Sequence, residues 1–240
     1  MLKAVIFDND GVLSDAHSEI NKLFTELINK NLKLNITEKD FAKHPGMRFE
    51  QKTELFAKEK GLKISKKEID ELIEKGRDIY YKDIIKMIKL YPGVVELLKE
   101  LKKNNIKIGL GTNGSKRTIT KLFDNFGLHD YFDSIVTFDD ASQGKPHPEI
   151  FLKNAENMKV NPQECVVVED SIEGIIAAKA AKMKVIAVQT TLKKEQLKDA
   201  DLIVESIKDL NIEKIQSYSA YSKIKKEIKI YNENDKRHNL

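Results

Sequence analysis

The stretch VIFDNDGVLSD, residues 5–15, carries an apolar run into two acids, Asp8 and Asp10, which flank Asn9 and are followed at once by Gly11. A short Val, Ile and Phe run that ends in turn residues reads as a buried strand, so the acids stand where that strand leaves its sheet. Two carboxylates gathered there repel each other and lose hydration. Such a cluster is costly unless a cation sits with it.

Working outward, apolar runs rich in Val and Ile recur near residues 4–7, 106–111, 135–138, 165–168, 185–188 and 202–204. Each is apolar enough to be buried on both faces of a parallel sheet. Helical periodicity fills 94–103, 117–126, 149–156 and 172–181. The pattern predicts an α/β protein with a Rossmann-like core. One interval departs from it. Nearly a hundred residues separate the first two strands, and INKLFTELINKNL, EKDFAKHP, EQKTELFAKEKGL and KKEIDELIEKGRDIYYKDIIKMI read there as amphipathic helices. The expected organisation is a core of residues 1–15 and 90–215, a helical cap of residues 16–89, and a basic, partly ordered tail over 216–240. YPGV at 91–94 marks the return to the core.

Composition narrows the function. The chain has 240 residues, enough for a sizeable core, and 42 basic residues against 38 acidic ones give a net charge of +4. That slight excess is spread along the chain, which argues against a nucleic-acid partner. No run of about 18 apolar residues suggests a membrane span, and Met1-Leu2-Lys3 leads straight into a strand rather than a signal peptide, so a cytoplasmic location is expected. The single cysteine, Cys165, falls in the apolar run CVVVED and is expected to pack rather than react.

In an open parallel sheet, ligands bind at the carboxyl ends of the strands. The second strand ends in GTNGS, offering Thr112, Asn113 and Ser115. Lys145 follows the third strand, set between Gly144 and Pro146, and the fourth ends in VVVEDS with Glu169 and Asp170. Four carboxylates, a hydroxyl and an ammonium thus converge. Carboxylate oxygens with no His or Cys partner favour a hard ion such as Mg²⁺.

DNDGVLSD, GTNGS, GKPHPEIF and VVVEDS, in this order and with a helical insert after the first, resemble the haloacid dehalogenase-like hydrolase superfamily. The branch they look like carries a helical cap and includes phosphoglycolate phosphatases and β-phosphoglucomutases. The resemblance implies that Asp8 is a nucleophile forming an aspartyl-phosphate and that Asp10 is a general acid and then base. It also implies that Thr112, Asn113 and Lys145 bind the phosphoryl group. Asp8, the carbonyl of Asp10 and Asp170 are the implied Mg²⁺ ligands, with Glu169 either a further ligand or a support behind them. Arg48, in HPGMRFEQ, falls where capped relatives often present a basic residue to the substrate.

Departures from the pattern refine that expectation. Dehalogenase and phosphonate-cleaving members lack an acid at the position of Asp10. The mutase branch usually carries a Thr and a His where this chain has Ala16 and Ile20. A Mg²⁺-dependent phosphatase acting on a small phosphorylated metabolite, as a monomer or weak homodimer, is therefore expected. The alternatives are a phosphomutase and a catalytically idle phosphate-binding module.

Overall fold

The computed structural model describes residues 1–43 and 49–218. Arg48 and the tail beyond residue 218 lie outside the described residues. The chain divides into two compact units, one made of Met1–Leu13 with the chain from Tyr91 onward and the other of Ser14–Leu90. The two connecting strands of the second unit run side by side. Ser14 forms an antiparallel bridge with Leu90, and the Asp15 amide donates to the Lys89 carbonyl at 2.9 Å.

Among the described residues, four α-helices build the second unit: α1 (Ala16–Leu32), α2 (Glu38–Ala42), α3 (Phe49–Glu59) and α4 (Lys66–Lys82). Two of them start at capping boxes. Thr37 and Asp40 satisfy each other's backbone amides at α2, and Ser65 and Glu68 do so at α4. Ile28, Ile36, Phe41 and Phe56 form the apolar centre, with the Phe24 and Phe49 rings 4.0 Å apart beside it. Gly76 lets α4 approach α1, since a Cβ there would lie 2.3 Å from the Phe24 ring. Lys52 is the buried charge of this unit among the described residues. Its ammonium sits 4.1 Å from the centre of the Phe41 ring, and burial pushes its pKa down to about 8.

Among its described residues the first unit holds six strands: β1 (Ala4–Phe7), β2 (Lys107–Gly111), β3 (Ser134–Val136), β4 (Cys165–Glu169), β5 (Lys184–Val188) and β6 (Leu202–Val204). They form one sheet in the order β3-β2-β1-β4-β5-β6, and every pairing is parallel. Its helices are α5 (Val94–Lys103), α6 (Lys116–Phe126), α7 (Glu149–Asn157) and α8 (Ile172–Ala180). Ala4, Ile6, Val167 and Val185 pack on one face against Phe151, Ala155, Ile175 and Ala178 of α7 and α8. Cys165 lies in the same core, where burial pushes its thiol up to about 12. Among the described residues no helix is long and apolar enough to cross a membrane.

The third strand is shorter than its apolar run suggested. β3 stops at Val136 because Asp140 accepts from both the amide and the hydroxyl of Thr137, at 3.0 and 2.7 Å, which folds Phe138–Asp140 into a single 3-10 turn. The strand order matters more for function. The chain builds β1, β2 and β3 outward in one direction and then returns to place β4 on the other side of β1. The crevice beyond the carboxyl ends of β1 and β4 is the reversal point at which open α/β sheets bind ligands.

Candidate active site

Register delivers the acids to that crevice. Phe7 pairs with Val168 and the Asp8 amide donates to the Val168 carbonyl at 3.0 Å, so Asp8 leaves β1 beside the end of β4, where Glu169 and Asp170 follow. Asp8, Glu169 and Asp170 are all buried, and each offers a carboxylate oxygen within 4.8 Å of the others. The Lys145 ammonium, with only 4% of its side chain exposed, reaches Asp8 Oδ1 and Glu169 Oε1 at 2.6 Å each. Three carboxylates against one ammonium leave negative charge uncompensated in a buried place.

The electrostatic consequences follow. Burial, opposed by Lys145 and reinforced by Glu169 and Asp10, raises Asp8 to about 7. Burial together with the charges of Glu169 and Asp8 raises Asp170 to about 8. For Lys145 burial works toward the neutral amine, but Asp8 and Glu169 hold it above the usual lysine range. Oxygen-only donors with excess negative charge fit a hard divalent cation.

Glu169 has a second engagement. Its Oε2 accepts from the amides of Asp170 and Ser171, at 2.9 and 3.1 Å, and from the Ser171 hydroxyl at 2.8 Å. With Oε1 on Lys145, both of its oxygens serve the protein. The Ser171 hydroxyl in turn accepts from the Gly174 amide and caps α8. Gly174 is required there, since a Cβ would fall 1.9 Å from the Glu169 carboxylate.

Lys145 is also held by its backbone. Asn113 Oδ1 accepts from the Lys145 amide at 2.9 Å, and Asn113 Nδ2 donates to the Lys145 carbonyl at 3.3 Å. Asn113, expected at the phosphoryl group, thus spends its side chain on fixing the lysine loop. Thr112 is buried at the end of β2, and its Oγ1 accepts from the Gly114 amide at 2.9 Å. It does not cap α6, because Ser115 does so through the Thr118 amide. Asp10 is half-buried, with Oδ1 accepting from Asn9 Nδ2 at 2.7 Å. Gly11 turns the chain behind it at a φ of 83°, and a Cβ would lie 1.9 Å from Asp170 Oδ2.

Two contacts at this crevice come from residues outside the expected motifs. The Thr190 hydroxyl donates to the Gly11 carbonyl, and the Thr191 hydroxyl donates to Asp170 Oδ2. The strand-end rule that singles out the first four strands, carried on to the VQTT that closes the fifth, would have found both.

The haloacid dehalogenase-like hydrolase family matches residues 2–182 of the chain. The β-phosphoglucomutase of Bacillus subtilis (strain 168) is 32% identical over 216 residues, covering 88% of this chain and 93% of that protein. The solved β-phosphoglucomutase of Clostridium difficile is 32% identical with a TM-score of 0.79, covering 93% of this chain and 100% of its own. A bifunctional riboflavin kinase/FMN phosphatase of Arabidopsis thaliana is 40% identical over 129 residues. That match takes in 53% of this chain and spans 34% of the Arabidopsis protein.

Proposed function

Because the chain belongs to the haloacid dehalogenase-like hydrolase family, we propose that it is a Mg²⁺-dependent phosphatase that hydrolyses a small phosphorylated metabolite through an aspartyl-phosphate on Asp8. The observation that carries this reading is the buried Asp8, Glu169 and Asp170 cluster with Lys145 bonded into it. Asp8 and Asp170, with the Asp10 carbonyl, would hold Mg²⁺, which supplies charge neutralisation between the nucleophile and the phosphate dianion. Glu169 serves the site chiefly by holding Lys145.

Each side chain then has a task. The Asp8 carboxylate attacks phosphorus as the bond to the ester oxygen breaks, and Asp10 gives that oxygen its proton. Asp10 next takes a proton from water, whose oxygen attacks the phosphoryl group, releasing phosphate and restoring Asp8. Lys145 spends two of its three donors on Asp8 and Glu169, and the third suits a phosphoryl oxygen. The Thr112 hydroxyl, an acceptor toward Gly114, has its own proton to donate to another. Asn113 keeps the lysine loop in place while this happens.

The two β-phosphoglucomutase relatives favour a phosphomutase as the second reading. Against it, Ala16 and Ile20 replace the Thr and His usual in that branch. The test is turnover of p-nitrophenyl phosphate with Mg²⁺ and with EDTA, followed by a screen of phosphorylated metabolites. We expect hydrolysis that EDTA abolishes and Mg²⁺ restores. Isomerisation of a hexose phosphate without phosphate release would select the mutase, and absence of any turnover would leave a binding module.

A further inference from the structure

We propose that Thr191 is a positioning residue that orients the Asp170 carboxylate for a divalent cation. The inference rests on the metal-dependent reading above and extends it to a residue outside the four expected motifs. Pairing keeps the fifth strand in the sheet as far as Gln189, whose amide donates to the Val204 carbonyl at 3.0 Å. Thr190 and Thr191 are therefore the first two residues beyond a rigid anchor. Their hydroxyls go to different neighbours, Thr190 to the Gly11 carbonyl and Thr191 to Asp170 Oδ2.

The three chain segments meet at contact distance. A Cβ built on Gly11 would lie 1.9 Å from Asp170 Oδ2 and 2.9 Å from Thr191 Oγ1, so Gly11, Asp170 and Thr191 share one small volume. The hydroxyl bond settles which Asp170 oxygen faces Thr191, and with it the plane of the carboxylate. Groups that hydrogen-bond a metal-binding carboxylate from behind typically contribute roughly 10–100-fold to metal affinity. Thr191 is itself exposed, so replacing it disturbs little of the core.

The test measures Mn²⁺ binding to the full chain by electron paramagnetic resonance, with Mg²⁺ in competition and no substrate present. Thr191→Val keeps the shape and removes the donor. We expect it to raise the dissociation constant by roughly tenfold or more. Thr191→Ser, which keeps the hydroxyl, should bind as wild type does. Wild-type affinity in Thr191→Val would overturn the inference. So would equal losses in the Ser and Val variants, which would place the effect in the methyl group. If Thr191→Val does not fold, Thr191→Ala against Thr191→Ser gives the same contrast: a weaker-binding Ala variant supports the inference and equal binding overturns it. A wild-type chain that takes up no Mn²⁺ or Mg²⁺ would instead sink the metal-dependent reading itself.

Discussion

In the helical unit, Asp40 and Glu68 sit at exposed first turns of α2 and α4. Lys43 and the Thr37 hydroxyl hold Asp40 below the usual carboxylate range, and the Ser65 hydroxyl and amide do the same for Glu68. In the sheet unit, Asp8 and Asp170 are buried, and they rise to about 7 and about 8. The same chemical group is thus stabilised as an anion at these two helix caps and destabilised as one at the buried strand ends. Helix caps use a carboxylate to satisfy backbone amides, which is a local matter of folding. A cluster that raises its own pKa values serves no such purpose, and perturbed groups gathered in a cleft mark chemistry.

The contrast is most exposed to test at Asp8. Asp8→Asn should lower turnover by several orders of magnitude, because a carboxamide is a poor nucleophile and a neutral ligand. Asp10→Asn should also lose turnover but retain Mg²⁺ binding, since its carbonyl remains. Equal loss of metal affinity in both variants, read by calorimetry, would break the division of roles.

Lys145→Met comes next. It leaves Asp8 and Glu169 facing each other without their cation, and removing one partner of a buried ion pair typically costs about 3–5 kcal/mol. Urea unfolding without metal should show that loss, and divalent ions should recover part of it. An unchanged midpoint would mean that the cluster is better solvated than its burial indicates.

The pH dependence of the metal-free protein sharpens the comparison further. An unfolded chain ionises Asp8 and Asp170 near the ordinary aspartate value of 3.8, whereas the folded chain does so near 7 and 8. Between those limits the native state holds protons that unfolding releases. The contribution of these two groups is full below about pH 4 and is lost as the pH rises through 7 to 8. Melting temperature in EDTA should therefore fall from pH 5 to pH 8, and Mg²⁺ should oppose the fall most at the alkaline end, where the carboxylates are ionised. A melting temperature that rises over this range in EDTA would contradict the buried cluster as the dominant group.

The smallest effect belongs to the other unit. Ser65→Ala removes an N-cap and should cost about 1 kcal/mol of stability. Turnover of p-nitrophenyl phosphate should stay as in wild type, and a large loss of turnover would show that the capping acids of this unit are not confined to folding.

Much of the fold and of the candidate site is legible in the amino-acid sequence. The α/β alternation, the place of the helical insert and the four strand-end motifs all rest on local patterns: short continuous apolar runs, 3.6-residue hydrophobic periodicity, and a Gly after an acid. Those patterns locate Asp8, Asp10, Thr112, Lys145, Glu169 and Asp170 because a strand end is a local event. The end of β3 is not visible in them, since it depends on one Asp140 side chain capturing Thr137.

Only the tertiary structure decided how the site residues share their bonds. Lys145 meets Asp8 across 137 positions and Glu169 across 24, Asn113 reaches the Lys145 backbone across 32, and Thr191 reaches Asp170 across 21. No local periodicity encodes these partners. Sheet order sets them, because placing β4 and β5 on one side of β1 and β2 on the other brings five chain segments to one crevice. Each acceptor there is then claimed by whichever donor lies within reach. That competition turned Glu169 toward Lys145, Asn113 toward a backbone, and two threonines outside every motif toward Gly11 and Asp170.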